Sequence, residues 1–178
     1  MPGDIDDTYH FFWSGPFSQW HPAEFEIDRV RFNTAEQAMM YFKATLFGDH
    51  EIATRILGAR KPREQKALGR QVRGFDSAIW DAHKVEIVRR ANRAKFGQNR
   101  GLRRKLFQTG TRHLVEASPL DAIWGIGLDE ATARTVPPED WPGQNLLGKI
   151  LTEVREELRA SFEDEASRIG DELREGSG

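Results

Sequence analysis

The chain has 178 residues, 38% of them apolar with eleven Phe and five Trp, which is enough for one globular core of ordinary domain size. It contains no cysteine, and this removes disulfides, thiolate nucleophiles and Cys-ligated zinc from consideration. The net charge of −2 hides a segregation: no acidic residue falls between Glu86 and Glu116, where nine Lys and Arg lie, whereas Glu153 to Glu175 is dominated by Asp and Glu. Such blocks read either as solvated helix faces or as a local field for a polyanion.

The acidic, polar start, Met1 to Thr8, lacks the charged-then-apolar pattern of a signal peptide, and no run of about 18 apolar residues occurs anywhere. A flexible N-terminus over 1–10 and a cytoplasmic location are the expectations. The stretch Phe11 to Trp20 is aromatic beyond what one strand needs, and its rings either close the core or line a base pocket. Phe25, Ile27, Val30 and Phe32 around Asp28-Arg29 predict a short hairpin. Thr34 with Gln37 three residues on forms a capping box, and Ala35, Met39, Phe42 and Leu46 make one apolar stripe, so 34–47 is an amphipathic helix.

Asp49 caps a short helix ending near Gly58, and Pro62 starts another reaching about Val72. Asp76 opens the longest helix, which runs toward Phe96 and is interrupted by Gly97 and Gly101. Leu102 and Leu106 mark a further helix, stopped at Thr109-Gly110, before a short strand over 113–117. Residues 129–143, with three prolines, read as a loop. The last core helix starts near Asn145 and turns Leu147, Ile150, Leu151, Val154 and Leu158 inward. Beyond Phe162 the chain is polar and acidic, so 161–178 is expected to be frayed or disordered. The tally is a mainly α, multi-helical single domain over about 11–160, with a hairpin and one or two further strands.

The five His show no metal-site spacing, and no phosphate-binding glycine loop or serine-hydrolase context is present. No metal and no cofactor is expected. Three constellations remain. Glu36 and Lys43 are seven residues apart on one helix, which returns them to the same face. A half-buried carboxylate and amine there suit acid–base or imine chemistry, and a bland surface pair is the competing account. Asp121, Trp124, Gly125 and Gly127 form a turn that offers a polar group beside a stacking ring, or else a core Trp in a glycine-rich turn. Gly143 and Asn145 lead into a helix N-terminus, a place that favours phosphate, although Asn145 also fits a plain cap.

Taken in order, these segments resemble the NADAR, or YbiA-like, N-glycosidase family. The matching pieces are Phe17-Ser18, Glu36 through Lys43-Ala44, Pro62 to Gly69-Arg70, Trp80 with Lys84, and Lys95-Phe96 with Gln98-Asn99 and Leu102. They continue with Thr109-Gly110, Leu114 to Ser118, Asp121 with Trp124-Gly125 and Gly127, and Gly143 with Asn145 and Leu147-Gly148. The resemblance implies a YbiA-like fold and cleavage of the bond between C1 of a 5-phosphorylated ribose and an exocyclic amine of a guanine-like base. Removal of ADP-ribose from guanine in nucleic acid is one such reaction, and hydrolysis of phosphoribosylamino-pyrimidine intermediates of riboflavin synthesis is another. A non-catalytic ADP-ribose or nucleotide-binding module is the alternative from a different class.

On this resemblance Glu36, Lys43 and Asp121 would be catalytic. Trp13, Ser14, Arg70, Trp80 and Lys84 would contact substrate, as would Trp124, Gly125, Gly143 and Asn145. The sequence departs from many relatives at Gln19-Trp20, which puts the fine shape of the base pocket in question.

Overall fold

The computed structural model describes residues 3–178. In chain order the elements are α1 (Ile5–Thr8), β1 (Tyr9–Phe12), β2 (Phe25–Ile27), β3 (Val30–Phe32), α2 (Ala35–Leu46), α3 (His50–Gly58) and α4 (Pro62–Gly69). They continue as α5 (Ser77–Gln98), α6 (Arg100–Gln108), β4 (His113–Glu116), α7 (Glu130–Ala133), a 3-10 turn at Pro138–Asp140, α8 (Leu146–Ser161) and α9 (Glu163–Glu175). The fold is mainly α with two small sheets, as the sequence leads one to expect. No helix among the described residues is long and apolar enough to cross a membrane. Where the sequence reads as one domain, the chain gathers into two units: Gln19–Asn99, and the described residues up to Ser18 together with Arg100–Gly178.

The Gln19–Asn99 unit is built around α2, which packs against α3, α4 and α5. Ala35 through Met40 are all buried, so the first two turns of α2 are enclosed on every side. A polar side chain there must be satisfied from within. Gln37 is: its backbone N–H donates to the Thr34 cap at 3.0 Å, its Oε1 accepts from Asn33 N–H, and its Nε2 donates to the carbonyls of Ile56 and Ala59 that end α3. Gln65 completes the network by accepting from the Thr34 hydroxyl at 2.6 Å and donating to Asn33 Oδ1 and Ala59 O.

The hairpin pairs Phe25 with Phe32 and Ile27 with Val30. Asp28 and Arg29 both take positive φ, the geometry that matches strand twist in a two-residue turn, and Asp28 is held by an ion pair to Arg90. Gln98 closes the open edge of β2 by exchanging two 2.8 Å hydrogen bonds with the Glu26 backbone.

Two expectations need correcting in this unit. α4 stops at Gly69 rather than near Val72. α5 runs straight through Gly97 and breaks at Asn99, which is extended and whose side chain donates to Lys95 O and Glu24 O. Gly101 lies inside α6.

In the other unit β1 and β4 pair in parallel, Tyr9 opposite His113 through Phe12 opposite Glu116. α8 lays Leu147, Ile150, Leu151, Val154 and Leu158 inward, the five residues its periodicity marks. Arg155, almost wholly buried in α8, donates to Thr109 Oγ1 at 2.9 Å and to Arg112 O at 2.6 Å. The proline-rich segment 129–143 is pinned rather than loose, because Trp141 Nε1 donates to both Ala133 O and Val136 O.

Both termini correct the sequence expectation. Of the stretch 1–10, residues 1–2 lie outside the described residues. Ile5–Thr8 is helical with Asp4 as its cap, and Arg134 anchors it through Asp6. The segment after Phe162 forms α9, with Ile169 buried and its carboxylates paired to α6. Composition alone reads as frayed because most of α9 is polar; one apolar contact and a facing row of arginines order it.

Candidate active site

Within the Gln19–Asn99 unit, α2 carries Glu36 in its first turn and Lys43 in its last. Glu36 is only 4% exposed, and its backbone N–H is satisfied by Gln19 O at 3.0 Å. Seven residues of helix put the two Cα atoms about 10 Å apart on one face.

Lys43 is half-buried. Its Nζ donates to Gly69 O at 2.9 Å, one of the carbonyls left unpaired where α4 ends. The approach of α4 to α2 is close there: a Cβ on Gly69 would lie 1.9 Å from Met40 Sδ, so any larger residue would make the Met40 side chain move. The ammonium also lies 4.8 Å from the centre of the Phe75 ring and 5.8 Å from that of Trp80. Burial pushes the Lys43 pKa below the ordinary lysine value, the Glu36 charge opposes that shift, and the Arg70 charge adds to it. The arrangement is an amine inclined toward its neutral, nucleophilic form, walled by aromatic rings.

Arg70 is exposed at the C-terminal end of α4. Trp80 is half-buried in the first turns of α5, whose start is capped by Asp76 through Ala78 N–H and Ile79 N–H. Lys84, one turn further on, is held locally by Asp81 at 2.7 Å.

Phe75, 48% exposed and edge-on to Phe47, is a residue that sequence reasoning passed over. A signal was there. Phe75 precedes the Asp76 cap and Trp80 is the fourth helical residue after it, the two positions of a hydrophobic staple. Lys43 faces both of its rings.

In the other unit Asp121 folds its own turn: Oδ1 accepts from Ile123 N–H at 2.9 Å and from Trp124 N–H at 2.8 Å. Trp124 is half-buried and follows directly. Gly125 and Gly143 meet backbone to backbone: a Cβ on Gly143 would lie 2.3 Å from Gly125 O, and one on Gly125 would lie 2.8 Å from Glu116 O. Both glycines are therefore required for packing. Trp13 and Ser14 are exposed beyond β1, Trp13 at 60%, whereas Phe12 and Phe17 are buried.

The phosphate cradle expected at the start of α8 is a correction. The N–H groups of residues 143–147 all donate to carbonyls of residues 122–126, at 2.7–3.2 Å. The anion position is filled by the protein's own oxygens. Asn145 takes the left-handed conformation and does not cap the helix. Its Oδ1 accepts from Glu116 N–H and its Nδ2 donates to Leu114 O, both at 3.0 Å, so it straps the helix start to β4.

The structure thus brings Lys43 together with Trp80, Phe75 and the Gly69–Arg70 corner, Asp121 with Trp124, and Gly125 with Gly143. Each group lies within its own unit.

The chain is 47% identical over 146 residues to N-glycosidase R617 of Acanthamoeba polyphaga mimivirus, covering 79% of this chain and 86% of that protein. It is 30% identical over 145 residues to riboflavin biosynthesis protein VVA0006 of Vibrio vulnificus, a match over 82% of this chain and 36% of that one. The solution structure of the Escherichia coli protein YbiA superposes with a TM-score of 0.71 at 31% identity, covering 87% of each chain. The NADAR domain matches residues 11–159, and the chain belongs to the NADAR family.

Proposed function

We propose that this chain is an N-glycosidase that cleaves the bond between C1 of a 5-phosphorylated ribose and an exocyclic amine of a guanine-like base, with ADP-ribose on guanine in nucleic acid as its substrate. The observation that carries the reading is Lys43: an amine of lowered basicity beside two aromatic rings, on the same helix face as the buried carboxylate of Glu36. A purely structural lysine gains nothing from partial neutralisation, whereas an imine-forming one requires it.

The chemistry runs as follows. The glycosylamine opens to an imine at C1 as its N–H proton passes to the ring oxygen. Neutral Lys43 adds to C1, Glu36 as an acid protonates the exocyclic nitrogen, and the C1–N bond breaks to release the base with a free amino group. Water then adds to the Lys43–C1 imine, Glu36 takes its proton, and collapse frees the sugar aldehyde and the lysine. The sum is substrate and water giving free sugar and free base.

Phe75 and Trp80 offer faces on which the base stacks. With the α8 start occupied, the 5-phosphate falls to Arg70. Asn145, Gly125 and Gly143 hold the architecture.

Purified protein offered ADP-ribosylated guanine DNA should release free ADP-ribose, and Lys43→Ala and Glu36→Gln should each lower that rate by at least about 10²-fold. Borohydride added during turnover should fix the sugar on Lys43. Normal turnover with Lys43 unmodified would sink the imine route and leave water activated by Glu36. A chain that binds ADP-ribose but turns nothing over would instead be a binding module. The likeness to the Vibrio riboflavin biosynthesis protein supports a second reading, the same cleavage on a phosphoribosylamino-pyrimidine. Both substrates belong in one assay, with free sugar as the common product.

A further inference from the structure

The basic stretch that the sequence leaves unassigned is divided by the fold. Arg89 and Arg90 pair with Glu86 and Asp28, and Lys95 is buried. Of the remainder, Arg100, Arg103, Arg104 and Lys105 lie on α6, a helix with no acidic residue. Against it packs α9, which carries six carboxylates and two arginines and lies beyond the residues that match the NADAR domain. Glu165 takes a bidentate grip on Arg103, at 2.8 and 3.0 Å, and reaches Arg100 at 3.7 Å; Glu172 binds Arg104 at 2.6 Å.

α9 thus sets carboxylates against the arginines of α6, as a phosphodiester backbone would set its phosphates. It is also lightly held. Ile169 is its one buried residue and Glu165–Arg103 its one shielded pair; the pairs of Arg100 and Arg104, both half-exposed or more, contribute little and are screened by salt.

We propose that the outer face of α6 is a docking surface for the phosphate backbone of a single nucleic-acid strand, and that α9 occupies this surface in the free protein and yields it to the strand. The proposal deepens the nucleic-acid reading of the substrate and rests on it. Arg103, bound and shielded by Phe162 at 3.7 Å from its ring, is the pivot; Arg100, Arg104 and Lys105 are the groups a strand would reach.

The test is binding of an unmodified, fluorescent 20-nucleotide DNA strand across a salt series. It compares the full chain, the double variant Glu165→Gln with Glu172→Gln, and a chain ending at Phe162. The double variant keeps Ile169 and so guards against a truncation that fails to fold. Release of Arg100 and Arg104 to the strand should tighten binding at least tenfold at low salt. It should also steepen the dependence of log K on log salt by about 1.4, at roughly 0.7 per cation freed for a single strand. Adding Arg100→Gln and Arg104→Gln to the double variant should erase the gain.

Unchanged affinity in both α9 variants, or a gain that survives loss of those arginines, overturns the proposal. Cleavage of a small mononucleotide substrate, run in parallel, separates the outcomes. Failure there in every form speaks against the N-glycosidase reading, whereas normal cleavage with unchanged strand binding speaks against the α6 surface alone.

Discussion

Replacing Glu36 with Gln removes a negative charge and leaves the size of the side chain nearly the same. Helical geometry puts the charge about 10 Å from Lys43 along α2, and at an effective dielectric near 20 two unit charges at that distance interact by about 1.7 kcal/mol. The carboxylate raises the Lys43 pKa and burial lowers it. Without Glu36, burial and the Arg70 charge act unopposed, so the amine should titrate lower still. Reductive labelling reads this directly, because only a neutral amine condenses with an aldehyde. The protein is incubated with ribose 5-phosphate and cyanoborohydride over a pH series, and the adduct on the Lys43 peptide is measured by mass. The labelling midpoint of Glu36→Gln should fall below that of the unaltered chain, while Glu36→Asp, which keeps the charge, should stay near it. A midpoint that stays put in Glu36→Gln, or moves to higher pH, refutes the electrostatic link and with it the tuned amine.

Three further outcomes are expected. Lys95, 0% exposed, has its pKa pushed down by burial to about 7. Between that value and the unfolded lysine value near 10.4, only the unfolded chain holds the proton. Stability therefore rises with pH through this window, by up to about 1.4 kcal/mol per unit. Denaturant titrations at pH 7.5 and 9.5 should show that rise in the unaltered chain and a flatter profile in Lys95→Met. Asn145→Ala removes both straps to β4 and should cost about 2–3 kcal/mol of stability, read from the urea midpoint, while the folded fraction retains its turnover per molecule. Gly143→Ala forces a methyl group to within 2.3 Å of Gly125 O; it should lower the melting temperature more than Asn145→Ala does, and an equal or smaller loss would count against the close backbone packing.

Elements fixed by local chemistry could be read from the sequence. The Thr34–Gln37 cap, the Asp28-Arg29 hairpin and the inward face of α8 each depend on residues within a few positions of one another. The parallel pairing of β1 with β4 could not be, since it joins segments about a hundred residues apart with no local signal for the partner. α9 was hidden for a related reason: its order comes from arginines on α6, and its own composition is that of a solvated segment. The site divides in the same way. The helical spacing of Glu36 and Lys43 is visible in the chain, but the lowered basicity of Lys43 depends on its burial in the fold and on the charge of Arg70 at the end of α4. Asn145 and the α8 start misled because a helix N-terminus offers its N–H groups to any acceptor, and here the 122–126 turn supplies the acceptors.

The buried polar groups of the Gln19–Asn99 unit fall into two energetic classes, and the division bears on function. Gln37 and Gln65 are fully engaged with the cap of α2 and the end of α3, so their burial is repaid within the fold. Asn92 is different. It is fully buried and donates to Gln19 Oε1 and Val88 O, yet its own Oδ1, like Gln19 Nε2, has no hydrogen-bond partner. Gln19 is also the residue whose carbonyl receives the Glu36 N–H. A fold selected for stability alone would replace such groups with apolar ones of similar size at a gain. Their retention beside the start of α2 gathers unrepaid cost around the proposed proton carrier, where a preorganised site is expected to hold it.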